Sequence, residues 1–285
     1  MPDPTGQLEV AVSGGPDSVA LLALAVATGI AVKAHHVDHG LRNASASEAG
    51  FVSSLCEHWG AAFQSHRVVV PDGADLERRC RDARIGLLPT SCLTGHTADD
   101  QAETVLMRLM RGTGPAGLAA MDPEKHPMLG IRRAETQGLC ELLGVRPVDD
   151  PMNHSERFTR NRVRSEILPL MNDVAGRDVV PLLARTAELA AENAEVLMLM
   201  VDEVDPSNAA SVAGAPSVVA TEALRRFWRQ ETGGLMPPDR GAVERMVAVA
   251  RGERRSAQVA QGWTLRRRTG RLWLERAVPR AGSER

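Results

Sequence analysis

The chain has 285 residues, 43% of them hydrophobic, and 34 Lys and Arg against 36 Asp and Glu for a formal net charge of −2, enough for one large globular domain and a smaller one. No apolar run is long enough to span a bilayer, and the start, Met1-Pro2-Asp3-Pro4-Thr5-Gly6, lacks the basic flank and apolar core of a signal peptide. The four cysteines, Cys56, Cys80, Cys92 and Cys140, form no Cys-x-x-Cys pair, which argues against a zinc or iron–sulfur site and for a reduced, cytoplasmic setting with no membrane partner.

Leu8 to Val12 reads as a short buried strand, and Pro16 to Thr28, with its apolar run Val19 to Ala25, as the helix after it. Between them stand Ser13, Gly14, Gly15, Pro16, Asp17 and Ser18. The glycines let the backbone turn sharply and approach a ligand. Pro16 suits the first helical position, where its missing N–H is no loss. Unpaired N–H groups, the helix dipole and the hydroxyls of Ser13 and Ser18 together make an anion site, most simply for phosphate. No Gly-Lys-Ser/Thr follows, so the loop is not a Walker A motif, nor does its spacing give the dinucleotide fingerprint. Asp17 is the odd member. A bare carboxylate repels phosphate, whereas one holding Mg²⁺ bridges to it. The plainer alternative is a Gly-rich turn with an acidic first helical turn.

Ala31 to Val37 reads as the second strand, completing a βαβ unit and hence a parallel sheet. His39 and Arg42 follow in Asp38 to Arg42, beyond the carboxyl end of that strand, where such sheets bind ligands. Ser45 to Trp59 has helical spacing. Ala62 to Val70 reads as a strand, Ala74 to Arg84 as a helix and Ser91 to Thr94 as a short strand. This alternation gives an α/β domain with a doubly wound parallel sheet. Gly95 to Thr104 opens a helix running to about Arg111, with Thr97 and Asp100 spaced to cap it and Val105, Leu106, Leu109 and Met110 as its buried stripe. His96, Asp100 and Glu103 fall three and four apart on one face. They could hold a cation, receive an amine, or only complement the helix dipole. Arg111 to Leu118 reads as a Gly/Pro-rich loop able to lie over a site. Leu139 to Val145 ends a further helix, and Asp149 to Asn153 is a turn. Arg160 and Arg164, four apart on a helix, suit gripping phosphate or a leaving group, or form a surface cluster.

Pro181 to Val204 has helical spacing through Leu182, Leu183, Leu189, Val196, Leu197, Met200 and Val204, a long arm whose stripe reads as core. Ser211 to Val218 reads as a loop and a domain boundary. Helices follow over Thr221 to Gln230 and Arg240 to Ala250, then a hairpin in which Trp263 to Arg268 meets Arg271 to Glu275 across Thr269-Gly270. From Leu224 onward there are fifteen arginines, no lysine and six acids, a net of +9 against −11 for the preceding residues. A basic tail with interleaved aromatics suits a polyanion such as RNA, or is a solvated basic face.

Ser13-Gly14-Gly15-Pro16-Asp17-Ser18 resembles the loop of the ATP pyrophosphatases, which split ATP into AMP and pyrophosphate to activate a substrate as its adenylate. The further blocks are His36-Val37-Asp38-His39-Gly40-Leu41-Arg42, Gly95-His96 through Glu103-Thr104, Arg111-Gly112-Thr113-Gly114, and Asp150-Pro151 through Arg160-Asn161-x-x-Arg164. Over about residues 8 to 170 the series resembles the tRNA(Ile)-lysidine synthetase family. The resemblance implies an adenine nucleotide alpha hydrolase-like fold in three parts: a catalytic domain over 1–175, a helical arm over 176–215 and a basic, small α+β tRNA-binding domain over 216–285. It implies ATP at Ser13 to Ser18 with His39, Arg42, Gly95, His96 and Arg111, Mg²⁺ on Asp17, and free L-lysine on Asp100 and Glu103. Asp17, Asp100, Glu103, Arg160 and Arg164 are the implied catalytic set. The implied partner is tRNA(Ile) with a CAU anticodon, whose wobble cytidine is adenylated on O2 and then attacked by lysine. A homodimer is left open. The chain departs from the family at Arg84-Ile85, where an Arg-Tyr pair is usual, and at His126-Pro127-Met128-Leu129, where Arg-Pro-Leu-Leu is usual. Two other readings stay open: another PP-loop enzyme that modifies tRNA or amidates an adenylated substrate, and a non-catalytic RNA-binding protein.

Overall fold

The computed structural model describes residues 6–38, 45–68, 86–149, 158–236 and 238–276. Cys80, His39, Arg42, Arg84-Ile85, Asp150-Pro151 and the helix expected over Ala74 to Arg84 lie outside them. The chain divides into two compact units, Met1–Ala191 and Glu192–Arg285.

The first unit is built on a parallel sheet of order β3-β2-β1-β4, with β1 Leu8–Ala11, β2 Val32–Asp38, β3 Ala62–Arg67 and β4 Leu93–Thr94. Leu8 to Ala11 pair in register with Val32 to His35, and Val10 and Ala11 pair on the other side with Leu93 and Thr94. Val10, Val12, Val32 and Ala34 are fully or almost fully buried, as strands covered on both faces must be. Helix α1 (Pro16–Ala27) follows β1, and its Leu21, Leu22 and Ala25 join Val52 and Cys56 of α2 (Ser45–Trp59) and Met128 in one core. The chain runs outward from β1 to β3 and then returns to the opposite flank as β4. Strand order therefore reverses between β1 and β4, and the carboxyl ends of those two strands form the crevice where such sheets take ligands.

Helix α3 (Ala98–Met110) leaves β4. Ala98, Ala102 and Leu106 pack on Val163, but Leu109 and Met110 of the expected stripe are 49% and 55% exposed, because the last turn outruns the core. Arg111 to Leu118 is only partly a loop. Pro115–Leu118 forms a helical turn, α4, with Pro115 in its first turn and Gly114 as its N-cap. Helix α5 (Arg133–Leu142) lies against the start of α1, where the buried Cys140 thiol donates to the Pro16 carbonyl at 3.5 Å. Helix α6 (Thr159–Arg162) passes through a π turn, Val163–Ile167, into α7 (Leu168–Ala175). The Leu168 N–H reaches back five residues to Val163 O, a bulge of the kind that re-aims side chains at functional sites.

Helix α8 (Val180–Asp202) is as long as its periodicity implied, but Leu182, Leu189, Val196 and Met200 are exposed, so much of the expected core stripe faces out. In the second unit the boundary loop expected at Ser211 to Val218 is instead α9 (Ala209–Gly214), capped by Asn208, and the start of α10 (Ser217–Glu231). Small residues there serve close helix packing. With α11 (Arg240–Arg251) they enclose a core of Trp228, Leu224, Met246 and Leu265. The hairpin Trp263–Arg268 (β6) and Arg271–Arg276 (β7) pairs as expected, and Ser256–Gln258 (β5) adds a third antiparallel strand. No helix among the described residues is long and apolar enough to cross a membrane.

Candidate active site

The loop after β1 is folded on one hydroxyl. Ser18 Oγ accepts from the backbone N–H groups of Ser13 and Gly14, both at 3.1 Å, and donates to Gly15 O at 2.9 Å. Its hydrogen is thus committed to loop closure. Ser13, which is exposed, lies with Oγ 3.2 Å from Ser18 Oγ and keeps its hydroxyl at the surface. Gly14 has φ +95°, a conformation that favours glycine. No side chain caps α1, so its first N–H groups and dipole face the crevice and fit an anion. His36, buried at the end of β2, bonds Val12 O through Nδ1 at 2.9 Å and ties that strand to the loop.

Gly95 brings β4 against this loop. A Cβ there would sit 2.6 Å from Asp17 O and 2.9 Å from Asp17 C, closer than any side chain tolerates. Gly95→Ala is expected to cost about 1–3 kcal/mol through forced backbone movement and to weaken nucleotide binding, as measured by thermal melts with and without ATP. Beyond Gly95, Thr94 Oγ1 lies 2.6 Å from Nδ1 of both His96 and His126. The hydroxyl can donate to one ring while accepting from the other, giving the two rings opposite Nδ1 protonation. His96 stands two residues ahead of α3 and packs edge-on against His126, close enough to Asp100 to help hold its carboxyl down. His126 is also the first residue of the departure from Arg-Pro-Leu-Leu.

Asp100 divides its oxygens. Oδ2 accepts from both the N–H and the hydroxyl of Thr97, at 2.9 and 3.0 Å, completing the expected cap. Oδ1 turns outward and accepts from Arg133 Nη2 at 2.9 Å. Burial alone would raise the Asp100 pKa, but Arg133, the Thr97 N–H, His96 and Arg160 outweigh it and hold the carboxyl below its usual range. Glu103, with no exposed surface, carries three guanidiniums. Arg164 Nε donates to Oε1 at 2.7 Å, Arg133 Nη1 to the same oxygen at 3.2 Å, and Arg160 Nε lies 3.1 Å from Oε2. The π turn makes this convergence possible, since Arg160 precedes it and Arg164 lies within it. Arg160 also donates to Thr104 Oγ1 at 2.9 Å.

Asp17, in the first turn of α1, accepts from the Thr136 hydroxyl through Oδ1, and its Oδ2 lies 3.6 Å from Arg133 Nε. Burial raises its pKa, the Thr136 bond opposes that, Asp100 adds to it, and Arg133 opposes it, with a net upward shift. An incompletely compensated carboxylate beside an anion site is suited to a cation. Arg133 itself is held strongly protonated: burial works against its charge, but Asp100, Glu103, Asp17 and Asp99 outweigh it.

The structure thus gathers Ser13 to Ser18, Gly95, Asp100, Glu103, Arg160 and Arg164 around one crevice. Arg111, exposed at the C-cap of α3, lies about 16 Å along the helix from Asp100 by the helical rise and stands apart from the cluster. Arg133 and Thr136 were not singled out from sequence. A signal was present: Arg132 and Arg133 stand at the N-cap and first turn of α5, where the dipole disfavours cations, so acids from elsewhere had to face them. Arg132 meets Asp99 through Nε and Nη2, both at 3.0 Å, and the Arg133 N–H adds a third bond at 2.8 Å. Burial would raise the Asp99 pKa, but these bonds overcome it and lower it. Its stabilising contribution is full above the ordinary carboxylate range and is lost as pH falls through the lowered value. Asp99→Asn is expected to cost about 2–3 kcal/mol at pH 7, and the difference from wild type should shrink below about pH 4, as read from urea titrations across pH.

An anion-binding loop at the β1/β4 switch point, with acids on the helix after β4, defines a PP-loop nucleotide enzyme, and the ATP-binding PP-loop domain model matches residues 1–171. A solved U34-tRNA thiolase, NcsA from Methanococcus maripaludis, shares the fold at a TM-score of 0.50 and 18% identity, over 65% of this chain and 72% of that one. Among curated proteins, the tRNA(Ile)-lysidine synthase of Nocardia farcinica is 40% identical over 89% of this chain and 85% of its own length. That of Corynebacterium glutamicum is 35% identical over 86% and 82%. The chain belongs to the tRNA(Ile)-lysidine synthase family.

Proposed function

We propose that the chain uses ATP to join free L-lysine to C2 of the wobble cytidine of tRNA(Ile), in the cytoplasm, where tRNA, lysine and ATP meet. Cytidine O2 attacks the α-phosphorus of ATP and pyrophosphate leaves. The ε-amine of lysine then attacks C2, gives up a proton, and AMP departs with O2. One observation carries this reading: the phosphate loop and a buried pair of carboxylates face the same guanidinium, with Asp17 and Asp100 both within 3.6 Å of Arg133.

Each group has a role that its surroundings support. The uncapped start of α1 and Ser13 hold phosphate oxygens. Asp17 holds Mg²⁺, which supplies charge neutralisation to the phosphates. Arg160 and Arg164 stabilise charge developing on the α-phosphate and the leaving group. Asp100, kept ionised by its neighbours, and Glu103 seat the lysine ammonium and take its proton as the C–N bond forms. Residues 1–175 carry the chemistry, the segment from 176 begins as a helical arm, and the C-terminal unit, with Ala209 and Val212 of α9 in its core, binds tRNA. In that last part Trp273, 38% exposed, stands directly across from Arg266 on β6, an aromatic and basic face suited to stacked bases and phosphates.

Labelled lysine supplied with ATP, Mg²⁺ and a tRNA(Ile) transcript bearing a CAU anticodon tests the reading. Incorporation is expected with that transcript and absent when the wobble base is uridine. Failure to label the cytidine transcript, or equal labelling of both, contradicts it.

A further inference from the structure

Asp17, Asp100 and Glu103 face Arg133, Arg160 and Arg164, so three negative charges are met by three positive ones before any substrate enters. Asp100 and Glu103 are already met by all three guanidiniums, so that pair has no place for another cation. Lysine brings an ammonium group, and seating it on Asp100 and Glu103 adds unpaired positive charge unless an existing cation leaves. ATP brings the opposite charge to the neighbouring loop.

Among the described residues Arg133 alone of the three arginines contacts both the Asp100–Glu103 pair and Asp17 of the phosphate loop. Its Nη2 is 2.9 Å from Asp100 Oδ1, its Nη1 is 3.2 Å from Glu103 Oε1, and its Nε is 3.6 Å from Asp17 Oδ2 in the loop. It springs from the first turn of α5, whose main chain is held in place by the Arg133 N–H bond to Asp99 and the Cys140 contact with Pro16. The side chain can therefore rotate while its base stays put. Guanidinium matches the two oxygens of a phosphate group at least as well as those of a carboxylate.

We propose that Arg133 is an exchange residue, which fills the amine seat while the phosphate loop is empty and moves to the ATP phosphates when they arrive, so that ATP opens the seat for lysine. This rests on Asp100 and Glu103 being that seat. ATP and lysine then bind with positive coupling, and by linkage each tightens the other by the same factor. The guanidinium also screens the seat against free amines in the absence of nucleotide.

Calorimetric titration of lysine into the full chain, with and without a non-hydrolysable ATP analogue and Mg²⁺, tests the exchange independently of turnover. In wild type the analogue is expected to tighten lysine about tenfold, within the usual range of such couplings. Arg133→Met should bind lysine more tightly than wild type when nucleotide is absent, and the analogue should then change its affinity less than about twofold. Arg133→Lys keeps a movable charge and should retain the coupling. Arg132→Met loosens the same helix without touching the seat and should leave the coupling intact. If Arg133→Met does not fold, Arg133→Gln is read in its place. Absence of coupling in wild type, or full coupling surviving in Arg133→Met or Arg133→Gln, overturns the exchange. Asp100→Asn separates the two claims: lysine affinity unchanged by it refutes the seat, whereas weakened affinity together with coupling that survives loss of Arg133 refutes the exchange alone.

Discussion

Glu103→Gln is expected to lower stability by about 3–5 kcal/mol, the usual cost of stripping one partner from a buried ion network. Glu103 is fully buried and meets Arg133, Arg160 and Arg164. Glutamine keeps the shape but presents an NH₂ to guanidinium N–H donors and leaves three cations with too few acids. The side chains come from α3, α5 and the α6–π segment, so the loss loosens three elements at once. Urea denaturation without substrates measures it, and a change below about 1 kcal/mol, the scale of a surface pair, would show that the network is loosely held.

Asp17→Asn should behave in the opposite way. The Asp17 carboxyl is buried at a cost, its pKa driven up by desolvation and by Asp100, so removing its charge should leave stability unchanged or raise it by about 0.5–1 kcal/mol. Activity should fall. On the proposed role of Asp17 as the Mg²⁺ ligand, its loss deprives the phosphates of that cation, and pyrophosphate release from ATP and tRNA should drop roughly 100-fold or more, the scale for one preorganised electrostatic group. Thermal melts and a pyrophosphate assay on the same preparation separate the two effects. A variant that melts early and turns over normally would mean that Asp17 is a structural acid.

Much of the first unit was legible because its signals are local. Val10-Ala11-Val12, two glycines and Pro16 identify strand, turn and helix within nine residues, and Thr97 with Asp100 identifies a cap within four. The centre of the crevice was not local. Arg133 and Thr136 stand more than a hundred residues from Asp17, and no period or spacing connects them. His126 showed only as a departure from a family pattern; its contact with His96 needs β4 and the following segment folded together. Periodicity found α8 but could not say what covers it, hence the exposed Leu182, Leu189 and Val196. The small residues of Ser211 to Val218 suggested a loop because composition alone cannot register the Asn208 cap, whose side chain accepts from the N–H groups of Ala210 and Ser211.

In the proposed function one crevice performs two successive displacements, with nucleotide held by the Ser13 to Ser18 loop and amine by Asp100 and Glu103. Following pyrophosphate and AMP separately, with tRNA(Ile) and ATP present and lysine omitted or supplied, tests it most directly. The expected result is pyrophosphate release and an adenylated tRNA without lysine, then AMP release in step with lysine incorporation once lysine is added. AMP released at the same rate without lysine, or lysine incorporated with no pyrophosphate formed, would contradict it.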